Sequence, residues 1–262
     1  MSGSDGDALL AQGSPIRVLT FNRPDRRNAV DGELHEALLS TLLSIPDDPD
    51  VRVVVLTGAG DAFSAGGDFE LIEQMQRDTG LRRATLETSR LLFWAMMALD
   101  IPVVAAVNGP AVGAGATLAL LSDIVVMDES AYLAEPRVGI GLVPGDGGAI
   151  LWGLLAGVPA ARAYLLTGEQ MPAHEAWRLG LVHMVTRSNS ALDEALVLAE
   201  RLARLSAHSV LATKRALNRQ LEAMAREGLE LDLEAESESF DTPHLKALVR
   251  KVAARRSAGK DD

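Results

Sequence analysis

One join, used twice, constrains this chain more than any other feature: a short β-branched strand running straight into a turn of glycine and alanine. Residues 51–57 (VRVVVLT) lead into Gly58-Ala59-Gly60, and the small-residue loop 61–68 (DAFSAGGD) follows at once. Residues 102–108 (PVVAAVN) lead into residues 109–116 (GPAVGAGA), and residues 124–127 (IVVM) form a third run of the same kind. Runs that are apolar at nearly every position belong to strands covered on both faces. The covering helices are legible between them. Leu34, Leu38 and Leu42 recur behind Asp31, a candidate N-cap, and Leu86, Phe93 and Met97 mark a second stripe. A short helix over residues 172–179 opens on Pro172 and stops before Gly180, the expected asymmetry. From Ser190 the pattern is helical almost to the end. The fold class expected is therefore α/β. Residues 15–189 form the core, residues 190–262 a helical C-terminal segment, and residues 1–14, Gly/Ser/Asp-rich and acidic, a disordered lead-in that does not read as a secretion signal.

Composition narrows the function. A formal net charge of −11 argues against duplex binding, which wants a basic face, although it leaves room for a local basic patch and a few cations suffice for a phosphate-bearing small ligand. The absence of cysteine excludes disulfides, thiol nucleophiles and thiolate-bound metals, and fits a reducing, cytoplasmic setting. Residues 101–122 carry no charge and are long enough to span a bilayer. Asn108-Gly109-Pro110 and Gly113-Ala114-Gly115 interrupt that run, which reads instead as strand, turn and buried helix, so no membrane partner is expected. His35, His174, His183, His208 and His244 show no ligand spacing, so no metal is expected, and His35 and His174 read as solvated helix positions.

Four places could carry chemistry. Gly58-Ala59-Gly60 opens like a dinucleotide-binding turn, but Phe63 stands where the third glycine is required. In the loop 61–68 small residues let a backbone approach a ligand, and Asp68 can cap the helix marked by Phe69, Ile72 and Met75; an ordinary glycine loop reads the same way. At residues 108–116 the N–H groups and positive end of a helix converge, suiting an oxyanion, while close helix–sheet packing also selects Gly and Ala. Asp146, in Pro144-Gly145-Asp146-Gly147-Gly148, is either a pocket acid or the cap of the helix beginning near Gly147.

Together these motifs resemble the crotonase (enoyl-CoA hydratase/isomerase) superfamily. The resemblance runs from Leu19-Thr20-Phe21-Asn22-Arg23-Pro24 with Asn28-Ala29, through Ala65-Gly66-Gly67-Asp68 and the turn at 108–116, to Ser122-Asp123-Ile124. It continues through residues 138–148 (VGIGLVPGDGG), Leu165-Leu166-Thr167-Gly168, Gly180-Leu181-Val182 and Thr213-Lys214. It implies a spiral of ββα turns with a helical C-terminal trimerisation segment, giving a homotrimer or a hexamer built as a dimer of trimers. The apolar stripe Leu192, Leu196, Ala199 and Leu202 is compatible with burial in such an assembly. It implies a coenzyme A thioester as substrate, no separate cofactor, and an oxyanion hole made by the N–H groups of Gly67 and Ala114. Substrate-binding roles follow for Arg26, Ala29, Ala65, Asp68, Thr117, Pro136 and Arg137, with Asp146 and Glu135 as catalytic candidates.

The resemblance also implies two hydratase glutamates, and this chain has Thr117 and Arg137 where they belong. Threonine is no base near neutral pH and arginine stays protonated, so two-glutamate hydration is not expected. Glu135 and Arg137 share one face of an extended segment, Pro136 the other, and the pair is either part of the pocket or structural. Arg137 could hold a substrate carboxylate, or form a salt bridge at a subunit contact. Lys214 and the cluster Arg250, Lys251, Arg255 and Arg256 read as solvated faces that could meet CoA phosphates, and Glu70 stands where relatives often carry lysine near CoA. The expected activity is that of an acyl-CoA lyase or isomerase. The alternatives are a hydrolase or decarboxylase of a β-keto or carboxylated thioester using Asp146, and a non-catalytic acyl-CoA-binding relative.

Overall fold

The computed structural model describes residues 8–258. The chain winds as a spiral in which a long strand, a short strand and a helix recur. β1 (Leu9–Gln12) pairs antiparallel with β2 (Ile16–Phe21), and α1 (Gly32–Ser44) follows. The second turn is β3 (Val53–Gly58), the loop to Asp68, α2 (Phe69–Arg77) and α3 (Thr79–Ala98). The third is β4 (Val103–Val107), β5 (Ala111–Val112) and α4 (Ala114–Leu121). The fourth is β6 (Ile124–Asp128), β7 (Tyr132–Ala134), α5 (Arg137–Ile140), α6 (Gly148–Leu155) and α7 (Val158–Thr167). Then come β8 (Gln170–Pro172), α8 (Ala173–Arg178), β9 (Met184–Thr186) and the helices α9 (Ala191–Ala203), α10 (Ala207–Ser239) and α11 (Pro243–Ala258).

The long strands form one sheet, ordered β1-β2-β3-β4-β6-β9 and parallel apart from β1. The short strands form a second, β5-β7-β8, which two isolated bridges extend: Ser64 to Ala111 and Val30 to Gly67. Each turn of the spiral thus adds one strand to each sheet in the same order. β3 and β4 are buried at every residue, as their unbroken hydrophobicity requires. The stretch once long enough to span a membrane is β4, β5 and α4, and no described helix is long and apolar enough to cross one.

Several expectations change. Residues 1–7 of the expected lead-in lie outside the described residues, but residues 9–12 form β1, with Leu9 buried against the sheet. The stripe on Leu192, Leu196, Ala199 and Leu202 packs on the sheet of its own chain, against Val53, Val55, Val104, Ala106 and Val126. Lys214 is buried, and its Nζ donates to the Ile101 carbonyl (2.9 Å) and to Asp123 (2.7 Å), fixing α10 to the entries of β4 and β6. It is a structural anchor. Arg250 and Lys251 are exposed, and the side chains of Arg255 and Arg256 lie outside the described residues.

The start of α9 is held from a distance. Asp128, fully buried at the end of β6, accepts from the N–H groups of Asn189 (2.8 Å), Ser190 (3.1 Å) and Ala191 (2.9 Å) and from the Thr186 hydroxyl (2.9 Å). These include helix-terminal donors that have no intrahelical acceptor. Asp128→Ala strands them in the interior and is expected to lower unfolding free energy by about 2–3 kcal/mol, measured by urea denaturation.

Candidate active site

Glycines bring the two small-residue loops together backbone to backbone. Gly66 has φ +86°, and a Cβ there would lie 2.6 Å from the Val112 carbonyl oxygen. A Cβ on Gly115 would lie 2.7 Å from that of Ser64. Buried Asn28 stitches the first loop, donating to the carbonyls of Ala59 (2.9 Å) and Ala62 (2.8 Å) while accepting from the Arg23 N–H (2.9 Å). Val30 donates to the Gly66 carbonyl (2.7 Å) and accepts from the Asp68 N–H (3.0 Å). In that parallel bridge the N–H of Gly67 itself emerges on the opposite edge of the strand, and Gly67 lines the cavity there. Ala114 opens α4, so its N–H is one of the first four of a helix, without an intrahelical acceptor, and it too lines the cavity.

That cavity holds about 250 Å³. Ala65, Gly67, Asp68, Ala114, Pro136, Arg137 and Asp146 meet on its wall, which also takes in the apolar Leu71, Ile72, Met75 and Leu86 of α2 and α3. Thr117 faces an adjoining recess shared with Ala114, Asp146 and His35. Three expected site residues line neither space. Arg26 pairs with Asp68 (3.0 Å) and Glu70 (3.3 Å), Ala29 lies beside Val30, and Glu135 is buried behind Arg137. Asp68 caps α2 as expected, accepting from the N–H groups of Glu70 (2.8 Å) and Leu71 (3.2 Å).

The polar end of the cavity is organised by Arg137. Its Nε and Nη2 grip Glu135 in a bidentate pair at 2.7 Å each, its Nη2 also reaches Asp146 Oδ1 (2.6 Å), and its Nη1 lies 3.5 Å from Glu236. Asp146 Oδ1 further accepts from the Thr117 hydroxyl (3.1 Å) and the Gly148 N–H (3.3 Å). Pocket acid and helix-start acceptor are thus one residue. Its Oδ2 has no donor among the described residues. Burial works against the charge on Arg137, but Asp146, Glu135 and Glu236 outweigh it and raise its pKa well above the usual value. Glu236 accepts from the Gly145 N–H (3.1 Å), and burial pushes its pKa up to about 7, with Arg137 opposing and Asp146 and Glu135 reinforcing the shift.

Two wall residues are not predicted as such by the sequence. Glu236 sits on the stripe of α10 that buries Leu229 and Leu233, so a carboxylate on an apolar stripe was the available signal. His35, expected in solvent, instead lines the cavity with a buried, unpartnered Nδ1; burial lowers its pKa to about 4, against the pull of Asp146 and Asp31. Its place beside Leu34 on α1 was visible, but not the α3 wall that encloses it. Among the described residues no group of acids and histidines could hold a metal ion.

Comparison with known proteins places this geometry. A family model described as enoyl-CoA hydratase/isomerase matches residues 11–257. The 2,3-dehydroadipyl-CoA hydratase of Escherichia coli is 37% identical over 224 residues, covering 85% of this chain and 86% of its own. The short-chain-enoyl-CoA hydratase of Clostridium acetobutylicum is 30% identical over 255 residues, 97% of each chain. The crystal structure of an enoyl-CoA hydratase/isomerase from Mycobacterium paratuberculosis superposes with a TM-score of 0.90 at 41% identity, covering 94% of this chain and 98% of that one. With sequence match, spiral and paired loops in agreement, the chain belongs to the enoyl-CoA hydratase/isomerase family of the crotonase superfamily.

Proposed function

We propose that this protein isomerises the double bond of an enoyl-CoA thioester, with Asp146 as the base. The carrying observation is the hold on Asp146. Thr117 and Arg137, at the two positions where the family resemblance expects glutamates, both bond its Oδ1, leaving Oδ2 to the cavity. Acid–base work has moved from those positions to the residue they position. In this reading the thioester oxygen sits between the N–H groups of Gly67 and Ala114, so the charge that forms as Asp146 removes a proton from C2 meets two preorganised donors. The apolar wall takes an uncharged acyl chain. No metal or redox cofactor is required, the working unit is a homotrimer or dimer of trimers, and the setting is cytoplasmic.

Hydration is the second reading, favoured by the hydratase names of the Escherichia coli and Clostridium relatives. There Asp146 would take the proton of a water adding to C3. A carboxylated or β-keto substrate gains nothing from Arg137, whose donors already face Glu135, Asp146 and Glu236.

Asp146→Asn is expected to slow conversion of a 3-enoyl-CoA to its 2-enoyl isomer by about 100-fold or more, followed by the rise of enoyl-thioester absorbance. Loss of crotonyl-CoA absorbance that depends on Asp146 would move the assignment to hydration. Wild-type protein that binds both thioesters and turns over neither is the binding-only outcome. Ala114→Pro removes one N–H at the first position of a helix, where proline fits. It should reduce kcat/KM about 100-fold, because the ring Cδ also takes the place of the lost hydrogen, and an unaltered kcat/KM would remove Ala114 from the mechanism.

A further inference from the structure

The cluster around Arg137 is overfilled with acids. Glu135, Asp146 and Glu236 share a single guanidinium, and all four side chains are buried or nearly so. Ionised together, three carboxylates and one cation leave two uncompensated negative charges where solvent cannot screen them. A proton on one acid relieves this. Distances say which: Glu135 holds Arg137 at 2.7 Å and Asp146 at 2.6 Å, whereas Glu236 stands off at 3.5 Å. Its surroundings supply little else to hold a charge. Facing it are Arg137 and Glu135 from the segment between β7 and α5, and Asp146 and the Gly145 N–H from the turn before α6. Asp232 lies one turn back on α10 itself, Arg82 of α3 is turned to Asp241 (2.9 Å), and His244 of α11 packs on Gly141. Glu236 also lines the cavity, within the same chamber as Asp146.

We propose that Glu236, contributed by the C-terminal helical segment, is the catalytic acid of this site, returning to the far end of the substrate the proton that Asp146 removes beside the thioester. The proposal rests on the isomerase reading above. Asp146 Oδ2 takes a proton from C2 of the 3-enoyl-CoA, and the C–H electron pair becomes the C1–C2 double bond as charge moves to the thioester oxygen. The dienolate then collapses: the C1 carbonyl reforms, the C2–C3 double bond forms, and the former C3–C4 pair takes the Glu236 proton at C4. Asp146 is left protonated and Glu236 ionised. Passage of a proton from the first to the second restores the site, so no proton is gained or lost. Glu236 is protonated below a pKa of about 7, so activity is present below that value and falls as pH rises through it.

Glu236→Gln keeps the side chain's shape and an oxygen to accept from Gly145, and thermal unfolding checks that it folds. It should slow 3-enoyl to 2-enoyl conversion by about 100-fold and abolish the alkaline fall in kcat/KM near neutrality. Exchange of the C2 protons of butyryl-CoA with D2O, which asks only for the base, should be lost in Asp146→Asn and reduced far less in Glu236→Gln. Glu236→Asp keeps an acid and should keep the alkaline fall. Wild-type turnover and pH profile in Glu236→Gln would overturn the proposal. If the wild-type protein neither isomerises nor exchanges, the isomerase reading has failed instead. Glu236 is then judged by infrared spectra of wild type and Glu236→Gln at pH 6. A carbonyl stretch of a protonated carboxyl, present in the first and missing in the second, supports it as a proton donor; its absence from both overturns the proposal.

Discussion

One buried guanidinium sets the terms for the rest of the site. Arg137 stands at the first residue of α5, a single turn of helix following Pro136, where it is enclosed by acids from three segments of the chain. Taking these charges out of water is costly, and such an arrangement is a poor device for stability alone; removing one partner of a buried pair typically costs about 3–5 kcal/mol because the other is left uncompensated. Arginine, and not lysine, fits the task. Its planar fork gives one edge to Glu135 and still reaches Asp146 and Glu236, whereas a lysine would offer a single point charge. The position of this residue is fixed in turn by packing. Gly168, at the end of α7 with φ +71°, lies so close to Pro136 that a Cβ there would be 3.2 Å from the proline Cα. The small residue that ends α7 thereby sets where the guanidinium begins.

The other half of the site is built from main chain. Gly67 and Ala114 present N–H groups whose direction depends on neighbouring backbone, not on their own side chains. Gly66 and Gly113 adopt positive φ, and the bridges at Val30 and Ala111 set the strand edges. Alanine at 114 therefore does what glycine would do. Gly67 and Ala114 both line the same cavity as Asp146, Arg137 and Glu236.

What could be read in the sequence was what local rules decide. The strands β3, β4 and β6, the caps at Asp31 and Asp68, the turn into α4 and the stop at Gly180 all follow from runs, caps and glycines acting within a few residues. What escaped was decided by distant partners. β1 is four residues in a polar lead-in and exists because β2 offers an edge. Lys214 looked solvated because the Asp123 it binds is far away in sequence, and His35 looked solvated because α3 lies over it only in the folded chain. Glu236 is hidden in the sequence for the same reason. On a helical wheel it is one acid among many on α10, and only the docking of that helix on the Arg137 cluster distinguishes it from Glu234 or Glu238.

The consequence is that the C-terminal segment is part of the cavity. α10 is pinned at one end by Lys214 to the entries of β4 and β6, and it closes the cavity at the other with Glu236 and Phe240. The cavity wall is therefore incomplete until a helix from the end of the chain has docked. That docking is tied to protonation in a definite sense. Because burial raises the Glu236 pKa from 4.5 to about 7, its contribution to stability is whole below pH 4.5 and is lost as pH climbs through 7. His35 works the other way: its pKa falls from 6.5 to about 4 on folding, so stability is lost as pH drops through that range. The two slopes oppose each other across the acid side of neutrality. The folded site favours one combination, with imidazole neutral and Glu236 protonated, which is the state in which Glu236 can give a proton and His35 adds no competing cation beside Asp146.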